Sequence, residues 1–428
     1  MKFGAFWNDK AYFPRVLENI GNEIQHFYSI IQLLLDIGVS KEDIVDIKNS
    51  ERSSSQKHYE RTIFPVNEAM FHLGDDSMYS RIFPFARNIE PVFIAISLVG
   101  RSELYPEAIE YLHRFEPIGA RDEWTMSFLH KNGIESYLFG CISLTLPTRL
   151  PCKSQDRVFF VDEPSEINDC APDYHKTKMI KLSHIFPDEI NNQTNPLQRY
   201  RLAESVINNY RDNASLVITS KLHSAVPCVA MGIPVVLATE NHSDRFSWID
   251  KHLHIYTPSE WHSINWNPEP IEVSEIKNLM RRSAKNKILS SIMNMPSDVA
   301  LQKEISKYWL ERPRFTYNNF ASEVLQNELK GFPKDMKYVI WGCGLVGEQV
   351  FSVMEKLYPE AKFVGAVDSF ANGVFHSYII QKPEYLLDLP NCVVLAATYT
   401  GRDAVDTFMS RHKRVYGKDY IRISTTSG

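Results

Sequence analysis

A lysine and a histidine, Lys221 and His223, stand two residues apart at one corner of the chain, where the apolar run Val217–Thr219 gives way to the run Leu222–Met231. The apolar runs predict a strand before the corner and a short helix after it. The N–H groups and the dipole of a first helical turn favour an anion. Lys221 adds a cation, and the His223 imidazole titrates near neutral pH. The corner is therefore a candidate for acid–base chemistry on a phosphate or carboxylate; the competing interpretation is a structural histidine beside a solvated lysine.

Further polar residues stand where other strands are predicted to end. Gly21 lets backbone approach a ligand closely, although the segment Asn19–Glu23 also suits a simple helix cap. Arg121 follows a short strand and can hold a carboxylate or phosphate with two N–H donors, unless it pairs with Asp122. The candidate catalytic residues are His223, Arg121 and Lys221, and the candidate substrate-binding residues are Asn19, Gly21, Asn22, Thr145, His184 and Ser220.

The elements that position these residues alternate between strands and helices. Spacing predicts an amphipathic helix over 22–35 with Asn22 as N-cap, a buried strand over 92–98, and a helix from near Asp122 to before Gly133. This alternation predicts an α/β fold of two doubly wound Rossmann-like domains that face a cleft, with a small Rossmann-like domain after them. The expected domains are 1–150, 151–330 and 331–428.

Composition narrows the function. The chain has 428 residues, a net charge of -5 and 44% hydrophobic residues, so it is globular and offers no electrostatic reason to bind nucleic acid. Six scattered cysteines predict neither disulfides nor structural zinc, and no acidic cluster has metal-ligand spacing. With no signal peptide or transmembrane run, the expected location is cytoplasmic. Basic clusters near Arg281 and Arg411 leave peripheral membrane contact open, and the oligomeric state is open too.

A glycine-rich loop opens the last unit. Gly342, Gly344 and Gly347 lie between a predicted strand and a predicted helix, and Asp368 follows the next strand, where a ribose-binding carboxylate is expected. The pattern predicts a bound nucleotide or nucleotide-sugar. Two alternatives stay open: a packing unit without a ligand, and an NAD-dependent oxidoreductase or sensor that works through this loop.

Over roughly its first three quarters, the chain resembles the polysaccharide pyruvyl transferases. The resemblance rests on Asn19–Gln25, Ala120–Glu123 and Gly140–Pro147, and most specifically on Ile218–Val236. It implies a two-domain fold like that of the GT-B glycosyltransferases. It also implies transfer of pyruvate from phosphoenolpyruvate to two hydroxyls of a sugar, which forms a cyclic ketal and releases phosphate, with no further cofactor and no metal required.

The resemblance implies a saccharide acceptor in a bacterial capsule, exopolysaccharide or cell-wall glycan, and leaves open whether that acceptor is lipid-linked or nucleotide-linked. The family's corner usually reads Arg-Leu-His, whereas this chain has Lys221, which keeps the charge but loses the planar two-pronged contact. Two alternatives therefore remain: a GT-B glycosyltransferase with a nucleotide-sugar donor, and an inactive carbohydrate-binding relative.

Overall fold

The chain divides into two compact units, residues 1–313 and 314–428. A computed structural model describes residues 1–7, 19–48, 60–68, 83–98, 104–151, 155–185, 195–240, 244–312, 325–369, 371–397 and 402–423. The domain boundary expected at residue 150 falls within the first unit and stays a prediction. Five cysteines in these ranges are free thiols; Cys152 lies outside the described residues.

In the described residues, the first unit contains two larger parallel sheets and a separate two-stranded parallel sheet. The strands of the first are Lys2–Trp7 (β1), Ile44–Lys48 (β2), Thr62–Val66 (β3) and Ile89–Phe93 (β4), in the order β2-β1-β3-β4. Two short parallel strands, Ile118–Ala120 (β5) and Ser136–Leu138 (β6), pair with each other. A parallel bridge from Ile96 to Ala120 joins this pair to the segment after β4.

The second sheet of this unit has the order β11-β10-β9-β7-β8, with all pairs parallel. Its strands are Arg157–Val161 (β7), Met179–Leu182 (β8), Ala214–Thr219 (β9), Val235–Ala238 (β10) and Ile255–Tyr256 (β11). Val217 of β9 packs into one hydrophobic core, and its neighbours Leu216 and Ile218 pack into another. A strand buried on both faces explains why this stretch is continuously apolar.

Helices connect these strands. They are Ile20–Glu23 (α1), Ser29–Asp36 (α2), Pro106–His113 (α3), Glu123–Lys131 (α4), Ser165–Cys170 (α5), Asp173–Lys176 (α6), Pro196–Asn213 (α7), Leu222–Met231 (α8), Ser274–Met293 (α9) and Val299–Leu310 (α10). A π-helical segment, Ile24–Tyr28, joins α1 to α2. Among the described residues, none of the helices combines the length and apolar character needed to cross a membrane.

The second unit is built on one sheet with the order β14-β15-β13-β12-β16-β17, and only the β14–β15 pair is antiparallel. Its strands are Lys337–Trp341 (β12), Lys362–Val367 (β13), Val374–Phe375 (β14), Tyr378–Gln381 (β15), Val393–Ala396 (β16) and Tyr420–Arg422 (β17), and its longer helices are Leu345–Leu357 (α11) and Arg402–Arg411 (α12). The predicted α/β class with parallel sheets is confirmed for the chain.

Two local predictions are wrong. The N-cap of the first helix is Asn19 rather than Asn22, since the Asn19 side chain accepts a hydrogen bond from the Gly21 N–H at 2.8 Å. Asn22 lies inside that helix. The strand expected over 92–98 ends at Phe93, because Ile94 and Ala95 donate their N–H groups to the Val66 carbonyl and leave the regular ladder. The chain thereby turns toward β5, which carries Arg121 at its end.

Candidate active site

The lysine–histidine corner forms as expected between β9 and α8. Lys221 is the N-cap of α8 with extended backbone, and His223 lies in the first turn of that helix. The Thr219 hydroxyl accepts the Lys221 N–H at 3.0 Å and donates to the Val161 carbonyl at 2.8 Å. These bonds tie the corner to β7. Gly232 ends the helix with a φ of +74°, a conformation that suits glycine.

Gly21 is the point where three candidate residues come together. A Cβ built on Gly21 would lie 2.8 Å from the Asn19 Oδ1, 2.8 Å from the His223 Cβ and 3.4 Å from the His184 Nδ1. Contacts under 3.0 Å are sterically forbidden, so only glycine lets α1 approach α8 this closely. The structure therefore brings Asn19, Gly21, His184 and His223 to one place.

His184 is fixed by its backbone and its ring. Its N–H donates to the Asp162 Oδ2 at 2.8 Å, and its carbonyl accepts the Ile20 N–H at 2.8 Å. Its Nε2 lies 2.7 Å from the Tyr210 hydroxyl, while its buried Nδ1 has no hydrogen-bond partner. Burial lowers the pKa of His184 to about 4, outweighing the Asp162 carboxylate, and Lys221 lowers it further. The ring is neutral at pH 7.

Arg121 is placed by an unusually close contact between backbones. A Cβ on Gly119 would lie 1.8 Å from the Ile94 carbonyl oxygen, so glycine is required where β5 meets that segment. The Ile96 N–H donates to the Gly119 carbonyl at 2.9 Å, and the Arg121 N–H donates to the Ile96 carbonyl at 2.8 Å. Asp122 then caps α4 by accepting the Thr125 N–H at 2.8 Å.

The Arg121 guanidinium has no hydrogen-bond partner among the residues that the structure describes. The residue is 0% exposed, and its Nε, Nη1 and Nη2 all lack an acceptor. Burial lowers its pKa, opposed by the nearby Cys141 and Asp122 side chains. The Asp122 carboxylate is engaged instead by Ser97 and the Thr125 N–H. A buried cation with unused donors is costly unless an anion fills them, so Arg121 is the clearest indication of an anion site.

Positive charge surrounds His223. Its Nε2 lies 3.5 Å from an Arg245 Nη, and its buried Nδ1 has no hydrogen-bond partner. Burial lowers the pKa of His223 well below its usual value, and the charges of Arg121 and Arg245 add to that effect, as do His26 and His184 when they are protonated. Burial and the Arg121 charge also lower the pKa of Arg245 to about 9. The arrangement favours the neutral form of the His223 imidazole.

The predicted site residues Thr145, Ser220 and Lys221 are not among the residues closest to the Cβ position of Gly21. Thr145 is buried in the 3-10 turn Ile142–Thr145 and donates to the Ile142 carbonyl at 2.7 Å. Ser220 donates to the Asp162 carbonyl and so supports the corner. The Lys221 ammonium makes no hydrogen bond or ion pair with any described residue, although its charge acts on His184. The roles proposed for these residues stay predictions.

Sequence reasoning missed four residues of this constellation: His26, Asp162, Tyr210 and Arg245. Asp162 and Arg245 follow β7 and β10, so the carboxyl ends of strands were an available signal. Tyr210 lies within α7 and His26 within the π-helical segment. At such positions, helical spacing predicts only that a side chain packs in the core. π-Helical turns often occur at functional sites, but a sequence does not reveal them.

A buried ion pair links α1 to α7. The Glu23 carboxylate lies 2.7 Å from an Arg199 Nη of α7, and both side chains are buried. Burial raises the pKa of Glu23 to about 7, although the charge of Arg199 opposes the shift. The ion pair holds α1, which carries Gly21, against α7.

The glycine loop of the second unit takes the expected strand–loop–helix form. A Cβ on Gly347 would lie 2.1 Å from the Gly342 carbonyl oxygen, so the third glycine is needed for close packing of α11 on the loop. Gly342 has a φ of +107°. The Asp368 carboxylate accepts the Cys343 N–H at 2.9 Å and the Ala371 N–H at 2.8 Å. Asp368 thus closes the loop, and nucleotide binding by Gly342, Gly344, Gly347 and Asp368 stays a prediction.

No group of three or more His, Cys, Asp or Glu residues suited to a metal ion occurs in the part of the chain that the structure describes. The candidate site contains two arginines, a lysine and the imidazoles of His184 and His223, whose pKa values are lowered. Such a set can bind an anion and move protons.

Comparison with known proteins places the chain in a family. No curated protein matches the sequence significantly. Among solved structures, a periplasmic solute-binding protein of an ABC transporter from Actinobacillus succinogenes 130z with bound D-allose is 12% identical, with a TM-score of 0.26 over 62% of this chain and 75% of that one. The GsuK protein bound to ADP is 9% identical, with a TM-score of 0.29 over 65% and 69%. Likenesses this weak carry no argument.

The sequence profile of the family described as polysaccharide pyruvyl transferase matches residues 19–243, which include Asn19, Arg121, His184 and His223. This match spans more than half of the chain. The protein therefore belongs to the polysaccharide pyruvyl transferase family, and is a transferase of polysaccharide biosynthesis.

Proposed function

We propose that the protein transfers pyruvate from phosphoenolpyruvate to two hydroxyls of one sugar in a bacterial surface glycan, forming a cyclic ketal and releasing phosphate. The observation that carries the proposal is the buried Arg121 guanidinium, whose three nitrogens all lack an acceptor. Phosphoenolpyruvate brings a phosphate and a carboxylate, and either group matches the two-pronged donor face of an arginine.

The charge balance around Gly21 favours a donor of this kind. Arg121 and Arg245 each depress the protonation of neighbouring groups, and Lys221 adds a third cation whose ammonium has no described partner. A multiply charged anion would replace this mutual repulsion with attraction. In this assignment Arg121 holds one acidic group of the donor. Lys221, with the N-terminus of α8, holds the other.

His223 is the proposed general acid and base. Its pKa is well below the usual value in the ligand-free protein because of burial and neighbouring cations. A bound phosphoenolpyruvate adds negative charge beside the ring and raises that pKa, so the donor itself arms the imidazole for proton transfer. This coupling explains why a catalytic histidine can stand among so many positive charges.

The reaction balances without a further reactant. The protonated imidazole of His223 gives its proton to the methylene carbon of the donor, which leaves an oxocarbenium-like centre at C2. The first sugar hydroxyl attacks C2 and gives its proton back to the imidazole. The second hydroxyl then attacks C2 as the C2–O bond to phosphate breaks, and its proton leaves with the phosphate. The products are one ketal and one phosphate. Asn19, Asn22, Thr145, His184 and Ser220 are proposed to contact the substrates around this centre.

A thermal-shift experiment tests the donor. Phosphoenolpyruvate, NAD and a panel of nucleoside diphosphates are added separately to the wild type, Lys221→Ala and His223→Ala proteins. A ligand that binds only the folded state raises the melting temperature. We expect a rise with phosphoenolpyruvate that is reduced in Lys221→Ala. A rise with a nucleoside diphosphate alone would instead favour the GT-B glycosyltransferase alternative, and a rise with NAD alone would favour the glycine loop.

A further inference from the structure

A hydrogen bond between the buried side chains of Tyr210 and His184 determines which ring nitrogen of His184 carries the proton. The Tyr210 hydroxyl of α7 lies 2.7 Å from the Nε2 of His184, and the two residues are 0% and 1% exposed. Water therefore does not compete for this contact. If the Tyr210 hydroxyl donates its proton in this bond, the Nδ1 of a neutral His184 carries a proton and is a donor. If the His184 Nε2 donates instead, Nδ1 is an acceptor.

The surroundings assign the direction of this bond. Burial raises the pKa of Tyr210, so the phenol keeps its proton. The Ser224 Oγ lies 3.5 Å from the Tyr210 oxygen and is directed to donate to it. The Tyr210 O–H then donates along the shorter contact to the His184 Nε2. A neutral His184 whose Nε2 accepts must carry its proton on Nδ1.

The same ring cannot readily move away. The backbone of His184 is held on one side by the Asp162 Oδ2 and on the other by the Ile20 N–H, both at 2.8 Å. Its Nδ1 lies beside Gly21, 3.4 Å from the point where a Cβ would be. That nitrogen is buried and has no hydrogen-bond partner. His184 therefore presents an unused N–H group next to His223.

We propose that Tyr210 is a positioning residue that fixes the Nδ1–H tautomer of His184, and that His184 thereby acts as a neutral hydrogen-bond donor to an anionic oxygen of the donor substrate. The proposal rests on the proposed function, since it assumes an anion at this place. A neutral donor strengthens anion binding without adding a fourth charge to a site already crowded with cations. It also leaves proton transfer to His223 alone.

Nitrogen-15 NMR of histidine-labelled protein tests the tautomer directly, with the His184 signal identified by its absence in His184→Gln. In the wild type we expect a protonated Nδ1 and an unprotonated Nε2. In Tyr210→Phe we expect a mixture of tautomers and about tenfold weaker binding of phosphoenolpyruvate, measured by calorimetry. The matched control is Tyr200→Phe, since the Tyr200 hydroxyl contacts Gln32 and Glu204 and no histidine. It should leave both readouts unchanged.

A second pair of variants separates positioning from folding. The side-chain nitrogen of an asparagine can occupy the place of the His184 Nδ1, whereas that of glutamine reaches toward Nε2. His184→Asn should therefore keep affinity within about threefold of the wild type, while His184→Gln loses about tenfold. In the His184→Asn background the Tyr210→Phe change should have no further effect on affinity, since no tautomer remains to be fixed.

The outcomes distinguish this inference from the proposed function. An Nε2–H tautomer in a wild type that binds phosphoenolpyruvate would overturn the inference and leave the proposed function standing. The same holds if Tyr210→Phe changes neither the tautomer nor the affinity. An Nδ1–H tautomer in a wild type that binds neither phosphoenolpyruvate nor inorganic phosphate would overturn the anion-binding role of His184 together with the proposed function.

Discussion

The Cβ of His223 lies 2.8 Å from the position that the first side-chain carbon of residue 21 would occupy if Gly21 were any other amino acid. Helix α1, which carries Gly21, is thus in contact with the first turn of α8, which carries His223. That contact brings His184 and His223 to the same place. The relationship makes Gly21 a sensitive test of the site.

We expect Gly21→Ala to disrupt the site. The added methyl group meets the Cβ of His223 and the Oδ1 of Asn19, and a Cβ cannot rotate away as a long side chain can. Overpacking of this kind costs about 1–3 kcal/mol of unfolding free energy. Calorimetric melting should show this loss, and the stabilisation by phosphoenolpyruvate should disappear. Gly331→Ala is the control, since nothing lies within 4 Å of its Cβ position; equal effects of the two changes would contradict the account.

Arg121→Met is predicted to make the ligand-free protein no less stable, and to abolish donor binding. Removing a buried guanidinium that has no hydrogen-bond partner among the described residues relieves its desolvation cost, and an apolar side chain of similar length carries no such cost. The matched control is Lys287→Met. The Lys287 ammonium is also buried, but it donates to the Phe93 and Pro117 carbonyls at 3.0 and 2.7 Å.

Denaturant unfolding measures both variants. Lys287→Met leaves two buried carbonyls without their donor and should lower the unfolding free energy, while its binding of phosphoenolpyruvate is retained. A large loss of stability in Arg121→Met would mean that the guanidinium is a structural group already paired in solution.

Lys221 is expected to act through its charge. Lys221→Ala should weaken binding of phosphoenolpyruvate about tenfold, which is the usual value of one charge-assisted hydrogen bond. Lys221→Arg should bind at least as tightly as the wild type, because a guanidinium offers two parallel donors. Calorimetric titration of the three proteins compares them. Wild-type affinity in Lys221→Ala would exclude the ammonium from the donor site.

Stability should depend on pH through His184. Its pKa is about 4 in the folded protein against 6.5 in the unfolded chain, so the unfolded state binds more protons between these values. This contribution to the unfolding free energy is complete above pH 6.5 and lost as the pH falls toward 4. At about 1.4 kcal/mol per pKa unit it amounts to about 3 kcal/mol.

The measurement is the difference between the wild type and His184→Gln in unfolding free energy, from denaturant titrations at several pH values. The difference should shrink as the pH falls from 6.5 to 4. Other buried groups cancel in it, including Glu23, whose raised pKa of about 7 acts in the opposite direction over part of this range. A difference that does not change with pH would mean that His184 titrates normally.

Much of the fold was accessible from the sequence because buried parallel strands are continuously apolar. The strand that ends at Thr219, the helix that begins at Leu222 and the cap at Asp122 all follow from local pattern. The cap at Asn19 did not, since Asn19 and Asn22 are chemically equal candidates. Only the hydrogen bond to the Gly21 N–H decides between them.

The site was accessible in part for the same reason. Arg121, His184 and His223 each follow a predicted strand, and parallel strands end at one edge of a sheet. Tyr210 was not accessible, because it lies near the C-terminal end of a long helix at ordinary packing spacing, and its role depends on a contact with His184 across 26 positions of sequence. Contacts of this kind follow from tertiary packing, not from periodicity.

Calorimetric titration of phosphoenolpyruvate into the wild type and Arg121→Met is the measurement that tests the central claim most directly, since it needs no acceptor sugar. The account predicts saturable binding at one site per chain in the wild type, and no measurable binding in a folded Arg121→Met protein. Binding of equal strength in both proteins, or no binding in the wild type, would contradict the claim that the buried guanidinium of Arg121 holds the donor.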